Sequence, residues 1–355
     1  MPAEFRLPAL GADMEEGTLV EWHVAPGSTV KRGDVVAVVE TDKGAIDVEI
    51  FEDGVIRELV VQPGTKVPVG TVLALLEGPD REGVVLSGSS GPAPAVPPEK
   101  PASATRQRSE PASVGESGSR PAVAPKAPES ATRHRPEAMR EAIAAAMSRS
   151  KREIPHYYLS LAADVTGPAA WLAAHNAAVP VTERLLFVAL LVKAVALACR
   201  DVRGFSGFYR DGRYGESPAV HVGVAVAIRG GGLVAPAIMD TADKSLAALM
   251  ADFRGLVTRA RAGRLRASEL AAPTIVLTSL GDSTVDTVLP IIQPPQVAIV
   301  GAGAVVTRPW VVDGAVVPRQ VLTLSLGADH RVSDGRVGAQ FLAQVAQRLS
   351  VPEQL

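Results

Sequence analysis

The strongest constraint on this chain is a repeat. Residues 17 to 40, GTLVEWHVAPGSTVKRGDVVAVVE, return at residues 54 to 77 as GVIRELVVQPGTKVPVGTVLALLE, at an offset of 37 throughout. Gly17 matches Gly54, Pro26-Gly27 matches Pro63-Gly64, Gly33 matches Gly70 and Glu40 matches Glu77. Self-similarity at a fixed period means one structural unit used twice. Within each copy, short β-branched runs are cut by Pro-Gly and Gly turns, a pattern of brief strands. Two such units side by side predict a small sandwich with a quasi-twofold axis.

Between the copies lies ETDKGAIDV, residues 40 to 48, which puts Lys43 at the connection of the two halves. On an arbitrary turn a lysine is a solvated surface group. Here it is a single amine at the hairpin that joins two copies of one unit, and such a turn holds an amine clear of the sheet without further ordering.

The length, 355 residues, predicts two domains plus linkers. From residue 79 to 134 the composition turns to Pro, Ala, Ser and Gly with no hydrophobic period. Such a stretch cannot bury enough apolar surface to offset its ordering entropy and is expected to be disordered or polyproline-like. As a coil of about 55 residues it would span roughly 40 Å, enough for a tether. Acids and bases nearly cancel, 38 against 36, so no global charge favours nucleic acid. One cysteine, Cys199, rules out a disulfide framework within the chain and fits a reducing compartment. The opening residues carry no apolar signal core. The longest apolar run, residues 185 to 199, is interrupted by Lys193 and is too short for a membrane span. The expectation is a cytoplasmic protein without a membrane or nucleic-acid partner.

Residues 135 to 355 alternate helical and strand patterns. Residues 139–154, 184–200 and 244–263 read as helices, the last ending at Gly263. VHVGVAVAI (220–228), PTIVLTSL (273–280), QVAIVGAGAVV (296–306) and VLTLSLGA (321–328) read as strands, and VVDGAVV as a hairpin with an Asp-Gly turn. Ser333-Asp334-Gly335 offers an N-cap to a last helix, with Val337, Phe341, Val345 and Leu349 on one stripe. The reading is a mixed sheet with helices on one face. The sharpest motif is ADHRVSDG, 328–335, which sets His330 between a strand end and a helix cap.

Residues 3 to 77 resemble the lipoyl and biotinyl carrier domains. The Asp42-Lys43 pair is similar to the lipoyl branch, whereas biotin carriers have Met-Lys-Met. ADHRVSDG resembles the His-x-x-x-Asp-Gly signature shared by dihydrolipoamide acyltransferases and chloramphenicol acetyltransferase. SKREIPHYYLS, GGLVAPAIMDTADKSLAAL, LTSLG and IIQPPQVAIVGAG follow the same family in order. The chain is thus identified as similar to the E2 component of a 2-oxo acid dehydrogenase complex.

The resemblance implies an all-β lipoyl-type sandwich (barrel-sandwich hybrid) at 1–78. A linker at 79–134 would join it to an α/β chloramphenicol-acetyltransferase-like catalytic domain at 135–355. It implies lipoate joined to Lys43, coenzyme A as substrate, His330 as general base and Thr278 as the hydroxyl that steadies an oxyanion, with Ser279 a second candidate. Relatives usually have serine at Thr278. Asp334 is implied in the site, either shaping the loop by capping the helix or pairing with Arg331, or joining a proton relay. No metal is needed. Partners would be the E1 dehydrogenase and E3 dihydrolipoamide dehydrogenase, with a homotrimer building a larger core. No helical subunit-binding stretch is evident between 79 and 134. The acyl group is expected to be acetyl, with an acetoin-derived or branched-chain acyl as alternative. A catalytically silent scaffold and a biotin carrier are the rival readings.

Overall fold

The structure, a computed structural model, describes residues 3–8, 14, 16–41, 44–77, 129–228, 232–281 and 284–355. Lys43 and most of the expected linker lie outside these residues.

The N-terminal domain has eight strands: β1 (Ala3–Arg6), β2 (Glu16–Trp22), β3 (Thr29–Val30), β4 (Val35–Thr41), β5 (Gly44–Glu49), β6 (Gly54–Leu59), β7 (Lys66–Pro68) and β8 (Val72–Glu77). One sheet runs β1-β8-β6-β3 and the other β5-β4-β2-β7. Exchanging each strand for its repeat partner converts one order into the other, so the repeat is a quasi-twofold axis in space. The repeat glycines show why the spacing is fixed. Gly27, Gly64, Gly33 and Gly70 all have φ between 85° and 95°, a backbone region where a Cβ is costly. Phe5, Leu19, Ile46, Ile56 and Leu73 fill the space between the sheets. β4 and β5 pair as far as Thr41 opposite Gly44.

The C-terminal domain begins with α1 (Glu129–Glu153), whose start falls inside the stretch expected to be linker. β9 (His156–Asp164), α2 (Thr166–Ala178), α3 (Phe187–Asp201) and a hairpin of β10 (Gly207–Arg210) and β11 (Arg213–Glu216) follow. Next come β12 (Val222–Val224), β13 (Val226–Ala227), β14 (Leu233–Val234), β15 (Ala237–Ile238), α4 (Leu246–Ala262), β16 (Leu265–Arg266) and α5 (Ala267–Ala271). The domain closes with β17 (Ile275–Ser279), β18 (Ala298–Val312), β19 (Ala315–Asp329) and α6 (Gly335–Ser350).

Its main sheet is mixed, in the order β15-β12-β17-β18-β19-β9. Both expected fold classes are therefore present, a β-sandwich and an α/β domain. α2, α3, α4 and α6 pack on one face, whereas the end of α1 meets the other, where the Ser150 hydroxyl donates to the Ile292 carbonyl. Leu190, Val195, Leu249, Phe341 and Val345 meet Ile275, Leu277, Val300 and Leu324 in one core. Lys193 is buried in α3, where its ammonium donates to the carbonyls of Ala242 (2.8 Å) and Lys244. That satisfies the one buried charge of the helix, and burial holds its pKa below the usual lysine value. α4 ends at Gly263 with φ 69°, and the β18–β19 hairpin turns at Asp313 and Gly314, both at positive φ. The run 220–228 is not one strand. β12 joins the main sheet, while β13 leaves it to pair with β14. The apolar alternation of VHVGVAVAI serves either ladder and does not mark the break.

The other face of the sheet is crossed by an extended strap, residues 285–292. It packs so close that glycine is required beneath it. A Cβ on Gly303 would lie 1.9 Å from the Asp286 carbonyl oxygen, and one on Gly301 3.0 Å from that of Val288. The GAG in VGAGAVV is the imprint of that crossing.

Candidate active site

β19 carries His330 off its end, and α6 starts a few residues later. Asp334 is the N-cap of α6: its Oδ1 accepts from the backbone N–H groups of Arg336 (2.9 Å) and Val337 (3.0 Å). A carboxylate there answers the unpaired N–H groups and positive end of the helix. The hydrogen bond from Val337 is the main cause of an Asp334 pKa below the ordinary carboxylate range. Arg331 does not pair with Asp334. Its guanidinium takes Asp329, a fully buried carboxylate, with Nη2 at 2.7 Å and Nε at 3.0 and 3.1 Å from the two oxygens. It also sits over Tyr209, 4.0 Å from the ring centre. Reading Arg331 against the nearest acid further along the chain missed this pair, because the i−2 carboxylate looks like part of the strand.

His330 is thus held between two fixed neighbours, Asp329 anchored by Arg331 and Asp334 anchored to α6. Its own backbone N–H donates to the Pro155 carbonyl at 3.0 Å. The imidazole is exposed and stands edge-on to Tyr157, ring centres 5.3 Å apart. Tyr157 shares a hydrogen bond of 2.8 Å with Ser333, and burial raises its pKa. Among the described residues neither ring nitrogen of His330 has a hydrogen-bond partner, which leaves both available to a ligand. Arg203, Val332 and Val337 complete a shallow open depression around it. Tyr157 and Asp329 were not singled out from sequence, and their only signal there is proximity to His330 or to the start of the domain.

The hydroxyl candidates sit on β17. Ile275 and Leu277 face the helix-side core, and Val276 faces the strap side with Ile292 and Ile299. Strand alternation then puts Thr278 on the strap side and Ser279 on the helix side. Ser279 Oγ accepts from Gly281 N–H at 3.3 Å, while Thr278 has no side-chain partner among the described residues.

The structure does not bring Thr278 and His330 together within one chain. Thr278 is level with Gly301 on β18, whereas Ala328, two residues before His330, is level with Ala298. Five positions along the strand at 3.3 Å each put the two about 16 Å apart lengthwise, with two strand spacings of about 4.8 Å across. Lys43 lies outside the described residues.

The profile described as "2-oxoacid dehydrogenases acyltransferase (catalytic domain)" matches residues 128–355, and one described as "Biotin-requiring enzyme", covering biotin and lipoyl attachment, matches residues 3–76. The dihydrolipoyllysine-residue acetyltransferase component of the pyruvate dehydrogenase complex from Rhizobium meliloti is 29% identical, with 99% of each chain aligned over 443 residues. That alignment is longer than the chain itself, so the relative carries stretches this chain lacks. The lipoamide acyltransferase component of the branched-chain α-keto acid dehydrogenase complex from Bacillus subtilis is 33% identical over 59% of this chain and 50% of its own length. Among solved structures, the Azotobacter vinelandii dihydrolipoamide acetyltransferase has a TM-score of 0.56 and 32% identity, over 59% of this chain and 88% of that one. That structure concerns the role of a serine, a histidine and an asparagine in the catalytic mechanism. The serine precedes the histidine by the interval that separates Thr278 from His330, and the asparagine follows it by the interval from His330 to Asp334.

Proposed function

Because the chain belongs to the 2-oxoacid dehydrogenase acyltransferases, we propose that it moves an acetyl group from a lipoyl arm on Lys43 to coenzyme A, as the core E2 of a pyruvate dehydrogenase complex. The observation that carries the reading is the coincidence of three spacings. A hydroxyl, an imidazole and a helix-capping side chain recur here at the intervals of the three residues named in the Azotobacter enzyme. They do so in a chain that aligns with an acetyltransferase component along nearly its whole length.

Lipoate joined to Lys43 supplies the sulfur that presents the acyl group as a thioester. The pairing of Thr41 with Gly44, the residues that flank Asp42 and Lys43 in the sequence, supports that attachment. His330 takes the proton from the thiol of coenzyme A, since the thiolate and not the thiol is the nucleophile. The sulfur adds to the acyl carbonyl, and the Thr278 hydroxyl donates to the oxygen where charge gathers, an effect worth about 3 kcal/mol. Collapse releases acyl-CoA and returns the proton from His330 to the departing sulfur. Asp329, Asp334 and Tyr157 position the imidazole.

The separation of Thr278 from His330 within one chain supports a site shared between subunits. In a homotrimer His330 of one chain faces the hydroxyl of the next, and trimers build the larger core to which E1 and E3 attach. The protein works in the cytoplasm. No described helix is long and apolar enough to cross a membrane.

The test is acetyl transfer from acetyl-CoA to free dihydrolipoamide. The native chain turns over and His330→Ala does not, while intact mass shows lipoate on Lys43 in both. Biotin on Lys43, or an unmodified amine in protein from its native host, removes the lipoyl reading. The branched-chain likeness supports a second acyl group, and isobutyryl-CoA in the same assay decides between them: a higher kcat/KM than acetyl-CoA overturns the acetyl assignment.

A further inference from the structure

The carrier sandwich and the catalytic domain meet through one open sheet edge. β16 lies parallel to β5, with Leu265 opposite Ile46 and Arg266 opposite Asp47. This extends the carrier sheet by one strand, to β16-β5-β4-β2-β7. Without that addition β5 would be a bare edge with unpaired N–H and C=O groups. Three side-chain contacts reinforce the pairing. Ala267 is buried within the carrier's own core, beside its β5 residues. Leu270 packs against both the carrier core and the catalytic core. Glu49, at the end of β5 and 6% exposed, is met by Arg266 at 3.5 Å and by a hydrogen bond from the Ser268 hydroxyl. Arg266 and Ser268 belong to no part of the transfer machinery.

The cradle is itself firmly built. Glu269 accepts from the Arg266 backbone N–H at 2.9 Å and pairs with Arg259 of α4. Leu265 is buried in the catalytic core. The cradle therefore holds its shape from the catalytic side. The element it receives is β5, the strand that starts at Gly44, immediately after Lys43.

We propose that Leu265–Ala271 is a docking cradle for the chain's own lipoyl carrier, which it holds by strand addition and by Glu49. The occupant is settled by fit: the pairing register, the Ala267 contact in the carrier core and the buried Glu49 all belong to this carrier's β5 edge. Strand addition supplies affinity through the backbone, and Glu49 supplies specificity. A carrier seated there is at rest beside the catalytic domain, and each visit to another site begins with release of the β5 edge. This rests on the reading of the N-terminal sandwich as the mobile carrier.

Hydrogen–deuterium exchange on the full chain tests it. In the native protein the amides of Gly44–Glu49 exchange slowly. In the double variant Arg266→Glu, Ser268→Glu, which sets like charge against Glu49, the β5 amides that point away from β4 exchange at least tenfold faster while β4, on the other side of β5, is unchanged. Acetyl transfer to free dihydrolipoamide stays at the native rate in that variant, which shows the catalytic domain intact and keeps this result separate from the transferase assignment. Fast exchange of β5 in the native chain, or equal protection in both, overturns the cradle. In assemblies mixing Glu49→Lys chains with Arg266→Glu chains, protection restored only on mixing places a neighbouring copy's carrier in the cradle and overturns the same-chain assignment.

Discussion

If the site is shared between chains, two dead variants should make a live enzyme. One chain carries His330→Ala and keeps its Thr278; the other carries Thr278→Val and keeps its His330. Valine matches the shape of threonine and removes only the hydroxyl. Its loss costs about 3 kcal/mol, or roughly 100-fold in rate, and loss of the imidazole costs roughly 100-fold or more. Each variant alone therefore retains on the order of 1% of native turnover or less. The register of β17, β18 and β19 sets the two groups too far apart to serve one substrate within a chain. In a closed ring each site takes an imidazole from one chain and a hydroxyl from the next. Equal co-expression then leaves about a quarter of the sites with both groups intact. The assay is acetyl transfer to free dihydrolipoamide on the co-expressed mixture, against the separately purified variants mixed without exchange. A co-expressed sample no more active than the average of its parents would refute the shared site, or the choice of Thr278 as its hydroxyl.

Other outcomes separate the remaining assignments. Thr278→Ser should keep most activity, because the O–H donor stays, and Ser279→Ala should lower it less than twofold; a reversed order makes Ser279 the oxyanion donor. Gly303→Ala drives a Cβ into the Asp286 carbonyl and strains the Ala304–Val285 hydrogen bond of 2.9 Å, for a loss of about 2–4 kcal/mol from overpacking and the bond together. Gly167→Ala, in the first turn of α2 with open space around it, should instead gain up to about 1 kcal/mol; urea midpoints of the two variants check both signs. His156 carries a pH prediction. Its Nδ1 meets the Ile154 carbonyl at 2.9 Å and its Nε2 accepts from Ile292 N–H at 3.1 Å, an arrangement open only to the neutral ring. Burial lowers its pKa, so the unfolded chain binds the proton first. Its contribution is then present above the unfolded value of about 6.5 and lost as pH falls through the lower folded one. The difference in urea midpoint between native protein and His156→Gln should shrink on going from about pH 7.5 to about pH 5, roughly one unit above and one and a half below that value, and a constant difference would refute it.

What the sequence made legible is what a local rule enforces. The repeat is visible because its glycines occupy backbone regions closed to other residues, so Gly27, Gly33, Gly64 and Gly70 had to recur at fixed spacing. α6 is visible because Phe341, Val345 and Leu349 must reach one core, and its start because Asp334 must cap it. The strap at 285–292 has no such signature. It forms neither helix nor strand, and its backbone is accommodated by glycines in strands that follow it in the chain. The division of 220–228 between two ladders was hidden for a related reason, since one alternation satisfies both. The Arg331–Asp329 pair was not visible because spacing along the chain says little once a strand ends and the backbone turns.

Thr278 and His330 stand far apart within one chain. Both groups are rigidly placed, one by the register of β17 against β18, the other by α6 and the Asp329–Arg331 pair. A small local movement cannot close about 16 Å, which is the length of five strand residues. If both groups act on one substrate, as proposed, catalysis and assembly are one property. A substitution that weakens the contact between copies should remove activity while leaving His330, Thr278 and the fold of each chain intact, and activity per chain should fall on dilution at the concentration where the copies part. Turnover by a chain shown to be monomeric at the assay concentration would break that coupling, and with it the division of the site between subunits.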